Sequence, residues 1–137
     1  MLTPSCVTTN LRVRYAETDA QGVAHHSSYI VWFELGRSEW LRARGYSYRD
    51  LEAAGYIIVV ADLGVRYLMP TRYDDQLALA TQLTEVRSRS LAFRYELRLA
   101  EGPLAATGQT KHLVLDRVSG RPVRMPAALE QALRQTS

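Results

Sequence analysis

Apolar and polar positions divide this chain into one long segment with helical spacing and several that alternate. In "LRVRYAE" (11–17), Leu11, Val13 and Tyr15 fall on one side and Arg12 and Arg14 on the other, which predicts a half-buried first strand. "YIVWFELGRSEWLRARG" (29–45) is too long for a strand. It is apolar nearly all round from Tyr29 to Phe33, with Leu35, Trp40 and Leu41 continuing the inward faces, and so predicts a buried helix. Ser27 or Ser28 can cap its start, Gly36 permits close approach of another backbone, and Gly45 suits a left-handed stop. Glu34, Ser38 and Arg42 form its one polar stripe, expected at an interface or in solvent. A short helical turn, "YRDLEAAG", follows.

The remaining segments are strand-like. In "YIIVVADLGVRYLM" (56–69) the odd positions Ile57, Val59, Ala61, Leu63, Val65, Tyr67 and Met69 make one apolar face, opposite Asp62, Gly64 and Arg66, and Pro70 ends the run. "QLALATQLTEV" (76–86), "SLAFRYELRLA" (90–100) and "LAATGQTKHLVLD" (104–116) predict three more strands joined by short polar turns, hence antiparallel neighbours. "PAALEQALRQ" (126–135) predicts a short helix. A single strand, a long apolar helix and then four strands imply an α+β fold in which a five-stranded antiparallel sheet wraps around a central helix.

At 137 residues, with no repeat or linker-like tract, the expectation is one domain over 1–137. The net charge of +3 rests on arginine, since Lys111 is the one lysine among 17 basic residues. Those arginines are spread over strands and turns with no stacking motif, which argues against nucleic acid. One cysteine, Cys6, excludes an internal disulfide and a cysteine-rich metal site. No apolar window is long enough to span a membrane and no basic-then-apolar leader opens the sequence, so the expected location is the cytoplasm.

Candidate chemistry collects in "YAETDAQGVAHHSSY" (15–29). An acid in a loop feeding directly into a helix lies near unpaired N–H groups and the positive end of the helix dipole, where developing negative charge is stabilised. The alternative for Asp19 is an Asx turn that caps its own loop, with Gly22 supplying backbone freedom. His25, His26 and His112 lack metal-ligand spacing and no HExxH is present, so no metal is expected.

Tyr15, Thr18-Asp19, Gly22, Val23, His26 and Tyr29 together resemble the signature of the hotdog-fold acyl-CoA thioesterases, in particular the branch of 4-hydroxybenzoyl-CoA and Tol-Pal-associated thioesterases. The likeness continues more weakly through "VRYLMPTRYDDQL" and "SRSLAFRYEL". The resemblance implies hydrolysis of an acyl-CoA, with coenzyme A as part of the substrate and no separate cofactor. It assigns Asp19 as general base or nucleophile, His26 and Tyr15 to the reaction centre, and N–H groups near His26 and Ser27 to an oxyanion hole, with Gly22 permissive. For the CoA phosphates, Arg87, Arg89 and Ser90 form one candidate turn and Arg66 a second basic position. It further implies a homodimer, assembled into a homotetramer, with acyl-CoA between subunits. Two other readings stay open. A hotdog dehydratase would need a differently spaced Asp and His, and a CoA- or acyl-carrier-binding module would keep the pocket without turnover.

Overall fold

Alternation in "QLALATQLTEV", "SLAFRYELRL" and "LAATGQTKHLVLD" becomes three adjacent strands, β3 (Gln76–Val86), β4 (Ser90–Leu99) and β5 (Leu104–Asp116), in the computed structural model, which describes residues 6–135. They are preceded by β1 (Cys6–Arg12), α1 (His26–Arg42), α2 (Tyr48–Ala53) and β2 (Tyr56–Tyr67), and followed by α3 (Ala127–Arg134). All pairings are antiparallel and the strand order is β1-β3-β4-β5-β2, leaving β1 and β2 as the edges. With α1 laid across one face, this is the expected hotdog architecture.

The helix packs one stripe, not its whole circumference. Tyr29, Trp32, Phe33, Gly36, Arg37, Trp40 and Leu41 are buried at i, i+3, i+4 and i+7 spacing, while Ile30, Val31 and Leu35 face outward at 37%, 55% and 41% exposure. Phe33 stacks on Tyr95 at 4.3 Å between ring centres, and Trp40 meets Phe93 edge-on at 5.4 Å. Gly36 is required here, because a Cβ would collide with the Thr81 hydroxyl and stand 2.7 Å from Leu79 Cδ2. At the far end Gly45 adopts φ +76°, the left-handed stop expected of it.

Three expectations are corrected. The first strand ends at Arg12, and Tyr15 instead opens a 3-10 turn (Tyr15–Glu17) and is 78% exposed. α1 starts at His26, and His25, neither Ser27 nor Ser28, caps it by accepting the Ser27 N–H on its imidazole. In β2 the inward face changes phase. Val60 pairs with His112 and Asp62 with Lys111, so Ala61 is an extra residue. Before this bulge Ile58 stands opposite buried Val114, and after it Val65 stands opposite Gly108 beneath Phe33, so the core contact passes from an even to an odd position while Leu63 and Tyr67 stay exposed at the sheet edge.

Under α1 lies a buried polar network. Arg37, 6% exposed, donates to the Tyr95 hydroxyl at 3.2 Å and hydrogen-bonds Tyr48, and makes no ion pair with a described residue. Tyr95 and His112 both hydrogen-bond the Thr110 hydroxyl, at 2.6 and 2.8 Å. Burial, reinforced by the Arg37 charge, pushes the His112 pKa down to about 4. His112 is therefore folded in its neutral form, whereas the unfolded chain takes up its proton near the ordinary value of 6.5. Stability from this residue is complete above pH 6.5 and is lost as pH falls from there toward 4. Urea unfolding across that window should show the wild type losing roughly 3 kcal/mol more than His112→Gln.

Candidate active site

The chain between β1 and α1 folds into a small hairpin pinned to the helix. Thr18 bridges Ala24, the Asp19 N–H reaches Val23 O at 2.9 Å, and Gly22 takes φ +83° to donate back to Asp19 O at 3.0 Å. A second segment, from the end of β2 to β3, holds it from outside: Val23 bridges Arg72, and the Ala24 N–H donates to Thr71 O at 2.7 Å.

Asp19 makes the Asx turn expected as the alternative for it and also lines a cleft. Its Oδ1 accepts the N–H groups of Gln21 at 2.8 Å and Val23 at 3.4 Å, an Asx turn, while Oδ2 has no hydrogen bond to a described residue. Asp19 also lines a cleft of about 420 Å³ with Val23, His26, Tyr29, Tyr67 and Met69. Tyr29 closes one wall, its hydroxyl on buried Thr71 at 2.9 Å, and Tyr67 packs edge-on against it at 4.9 Å. The start of α1 supplies a donor. Ser27 N–H goes to His25 Nδ1 and Ser28 N–H to His25 O, so His26 N–H is the first-turn donor with no acceptor among the described residues. Of the two N–H groups expected to serve an oxyanion, that of Ser27 is thus occupied.

Other candidates stand apart. Tyr15 packs edge-on against Tyr73 at 5.8 Å and does not line the cleft. Arg66 is exposed on β2. Arg87 pairs with Glu85 at 3.3 Å, and its N–H closes the turn on Ser90 O at 2.8 Å; Arg89 O accepts the Val114 N–H, and Ser90 is 9% exposed. The ladder runs from Ser90 through Leu113 to Val59, but from Leu97 through Ala106 to Tyr67, so this turn lies roughly 25 Å from the cleft within one chain.

Sequence reasoning missed Glu17. Its carboxylate accepts the Arg14 N–H at 2.7 Å, the Trp32 indole N–H at 2.9 Å and the Arg14 guanidinium at 3.2 Å, while its carbonyl accepts His25 N–H and the Ser28 hydroxyl at 2.7 and 3.0 Å. Burial alone would raise its pKa, but these donors outweigh it and hold the carboxyl below the usual range. Only its place two residues before Asp19 hinted at this. Tyr67, expected only as part of the apolar face of its strand, donates its hydroxyl to His26 O at 2.8 Å.

Residues 13–133, nearly the whole described chain, match the model of a family described as the thioesterase-like superfamily. The chain belongs to that superfamily. It is 33% identical to the acyl-CoA thioester hydrolase YbgC of Escherichia coli over 125 residues, 91% of this chain and 93% of that protein. Among solved structures, TT1821 of Thermus thermophilus superposes with a TM-score of 0.88 at 38% identity, covering 95% of this chain and 98% of that one. The DHNA-CoA thioesterase of Staphylococcus aureus superposes with a TM-score of 0.84 at 33% identity, covering 87% and 80%.

Because Trp32 is 3% exposed, Glu17→Ala strands an indole N–H in the interior. The variant should lose about 1–3 kcal/mol in urea unfolding, with Glu17→Gln, which retains an acceptor, closer to wild type.

Proposed function

We propose that this thioesterase-superfamily chain hydrolyses acyl-CoA thioesters, with Asp19 acting through Oδ2 and the His26 N–H receiving the thioester oxygen. The observation that carries this reading is their meeting in one cleft at the positive end of a 17-residue helix. The thioester carbonyl, polarised by His26 N–H, is attacked either by a water that gives its proton to Asp19 or by the carboxylate itself, forming an anhydride that water then opens. In both routes the tetrahedral centre collapses by breaking the C–S bond, and the CoA thiolate leaves and takes up a proton. Label found in the Asp19 side chain after single turnover in 18O-labelled water marks the anhydride route, since water opening the anhydride at the aspartyl carbonyl puts it there and general-base attack does not.

The CoA end calls for a second subunit. Among the described residues β2 is the longer free edge, 12 residues against 7 in β1, and it exposes Val60, Leu63 and Tyr67. Pairing two β2 strands antiparallel about a two-fold axis brings the start of the partner's β2, and with it the partner's Arg87–Ser90 turn, toward the Tyr67 end of the first. Arg87 and Arg89 then serve phosphates across the interface while Arg66 lies on the joining strand. The walls formed by Tyr29, Tyr67, Val23 and Met69 suit an apolar acyl group, aromatic or aliphatic.

Free-thiol release from a panel of acyl-CoAs should fall at least about 100-fold in Asp19→Asn with the fold intact. A wild type that binds these thioesters without turnover would make the protein a CoA- or acyl-carrier-binding module instead. Leu63→Glu should shift the native mass toward monomer and reduce turnover; a wild type that is already monomeric and active rules out the shared site. The same mass measurement separates dimer from tetramer.

A further inference from the structure

The first peptide plane inside α1, joining His26 to Ser27, is gripped at both ends. Its carbonyl accepts the Tyr67 hydroxyl at 2.8 Å, and its N–H donates to His25 Nδ1 at 3.2 Å. Since Nδ1 accepts, the His25 ring carries its proton on Nε2, and the Ser27 hydroxyl lies against the same Nδ1 at 2.7 Å. Both gripping residues are themselves fixed. The His25 N–H is bound to Glu17 O at 2.7 Å and its ring lies 4.1 Å from that of His26, while Tyr67 rests edge-on against buried Tyr29.

An amide is rigid, so two bonds at its opposite ends set its tilt. The neighbouring plane, which carries the His26 N–H, shares the His26 Cα with it, and the tilt of one therefore constrains the aim of the other. The grip also occupies Ser27 N–H, leaving His26, which lines the cleft, as the first-turn residue whose N–H has no acceptor among the described residues. We infer that His25 and Tyr67 are positioning residues that aim the His26 N–H through the His26–Ser27 amide, one from the incoming loop and one from the end of the edge strand β2. This rests on the thioesterase reading above, in which His26 N–H receives the thioester oxygen. The grip itself can be measured without turnover.

Tyr67→Phe keeps the ring and removes the hydroxyl; His25→Leu removes the acceptor, and His25→Asn replaces it with a side-chain carbonyl that also caps helices. Amide exchange at Ser27, followed by NMR, should quicken about tenfold or more in Tyr67→Phe and His25→Leu and stay near wild type in His25→Asn. On the best acyl-CoA of the panel, the first two should lower kcat about tenfold with KM within about twofold, and His25→Asn should restore it. The double variant His25→Leu/Tyr67→Phe should be no slower than the worse single, because both bonds hold one plane. Unchanged Ser27 exchange in Tyr67→Phe and His25→Leu overturns the grip, whether or not the wild type turns over any thioester. Faster exchange with unchanged kcat overturns its role in aiming the donor. A wild type inactive on every thioester overturns the catalytic role and the proposed function, while exchange still decides the grip.

Discussion

Everything in this fold that bears on chemistry depends on how closely α1 lies on the sheet. Two glycines set that distance from opposite sides. Gly36 on the helix leaves room for Thr81 and Leu79 of β3, and Gly108 on β5 leaves room for Phe33, whose Cζ would stand 2.7 Å from a Cβ there. With the helix seated at this depth, Phe33 stacks on Tyr95 and Trp40 meets Phe93, so its rotation is set by ring contacts as well as by apolar burial. The helix start is then a fixed point. The Asp19 hairpin, Tyr67 and the walls of the cleft are all arranged against it.

The polar network beneath the helix adds selectivity of placement. A guanidinium with no carboxylate partner among the described residues gains little as a charge pair, and its desolvation is costly. What it provides is direction, because Arg37 finds acceptors in the Tyr95 and Tyr48 hydroxyls only where α1 lies across β4 and near α2. His112 stays neutral beside it, which keeps a second cation out of the same small volume. A helix shifted by one turn would also strand these groups, so the network adds a polar penalty to the ring and glycine contacts that already set the register.

Much of the architecture was legible in the chain because its pattern was local. β3, β4 and β5 alternate over most of their length, with extra residues at Thr84 and Ala105, and the aligned Leu79, Leu97 and Ala106 share the buried face. What escaped was non-local. The Ala61 bulge leaves no mark in composition, yet it moves Ile57 and Val59 off the core face and puts Ile58 there. The outward facing of Ile30, Val31 and Leu35 likewise depends on which side of the helix the sheet covers. In the site, Asp19, Gly22 and His26 were visible through a motif, whereas Glu17 acts through Trp32, 15 residues further on, and Tyr67 through His26, 41 residues back. Such contacts follow from the fold and have no signature in spacing.

Glu17 and Asp19 divide the labour of the loop by environment. Both accept backbone N–H groups, but Glu17 spends its carboxylate on Arg14 and Trp32 and its carbonyl on His25 and Ser28, leaving it as a bracket between the strand end and the helix start. Asp19 commits only Oδ1, and its Oδ2 has no hydrogen bond to a described residue. The spacing of one residue between them matters, since it lets the bracket fix the hairpin without occupying the cleft. The role proposed for Asp19 needs a fixed position and an uncommitted oxygen at once, and a single side chain tied as Glu17 is could not supply both.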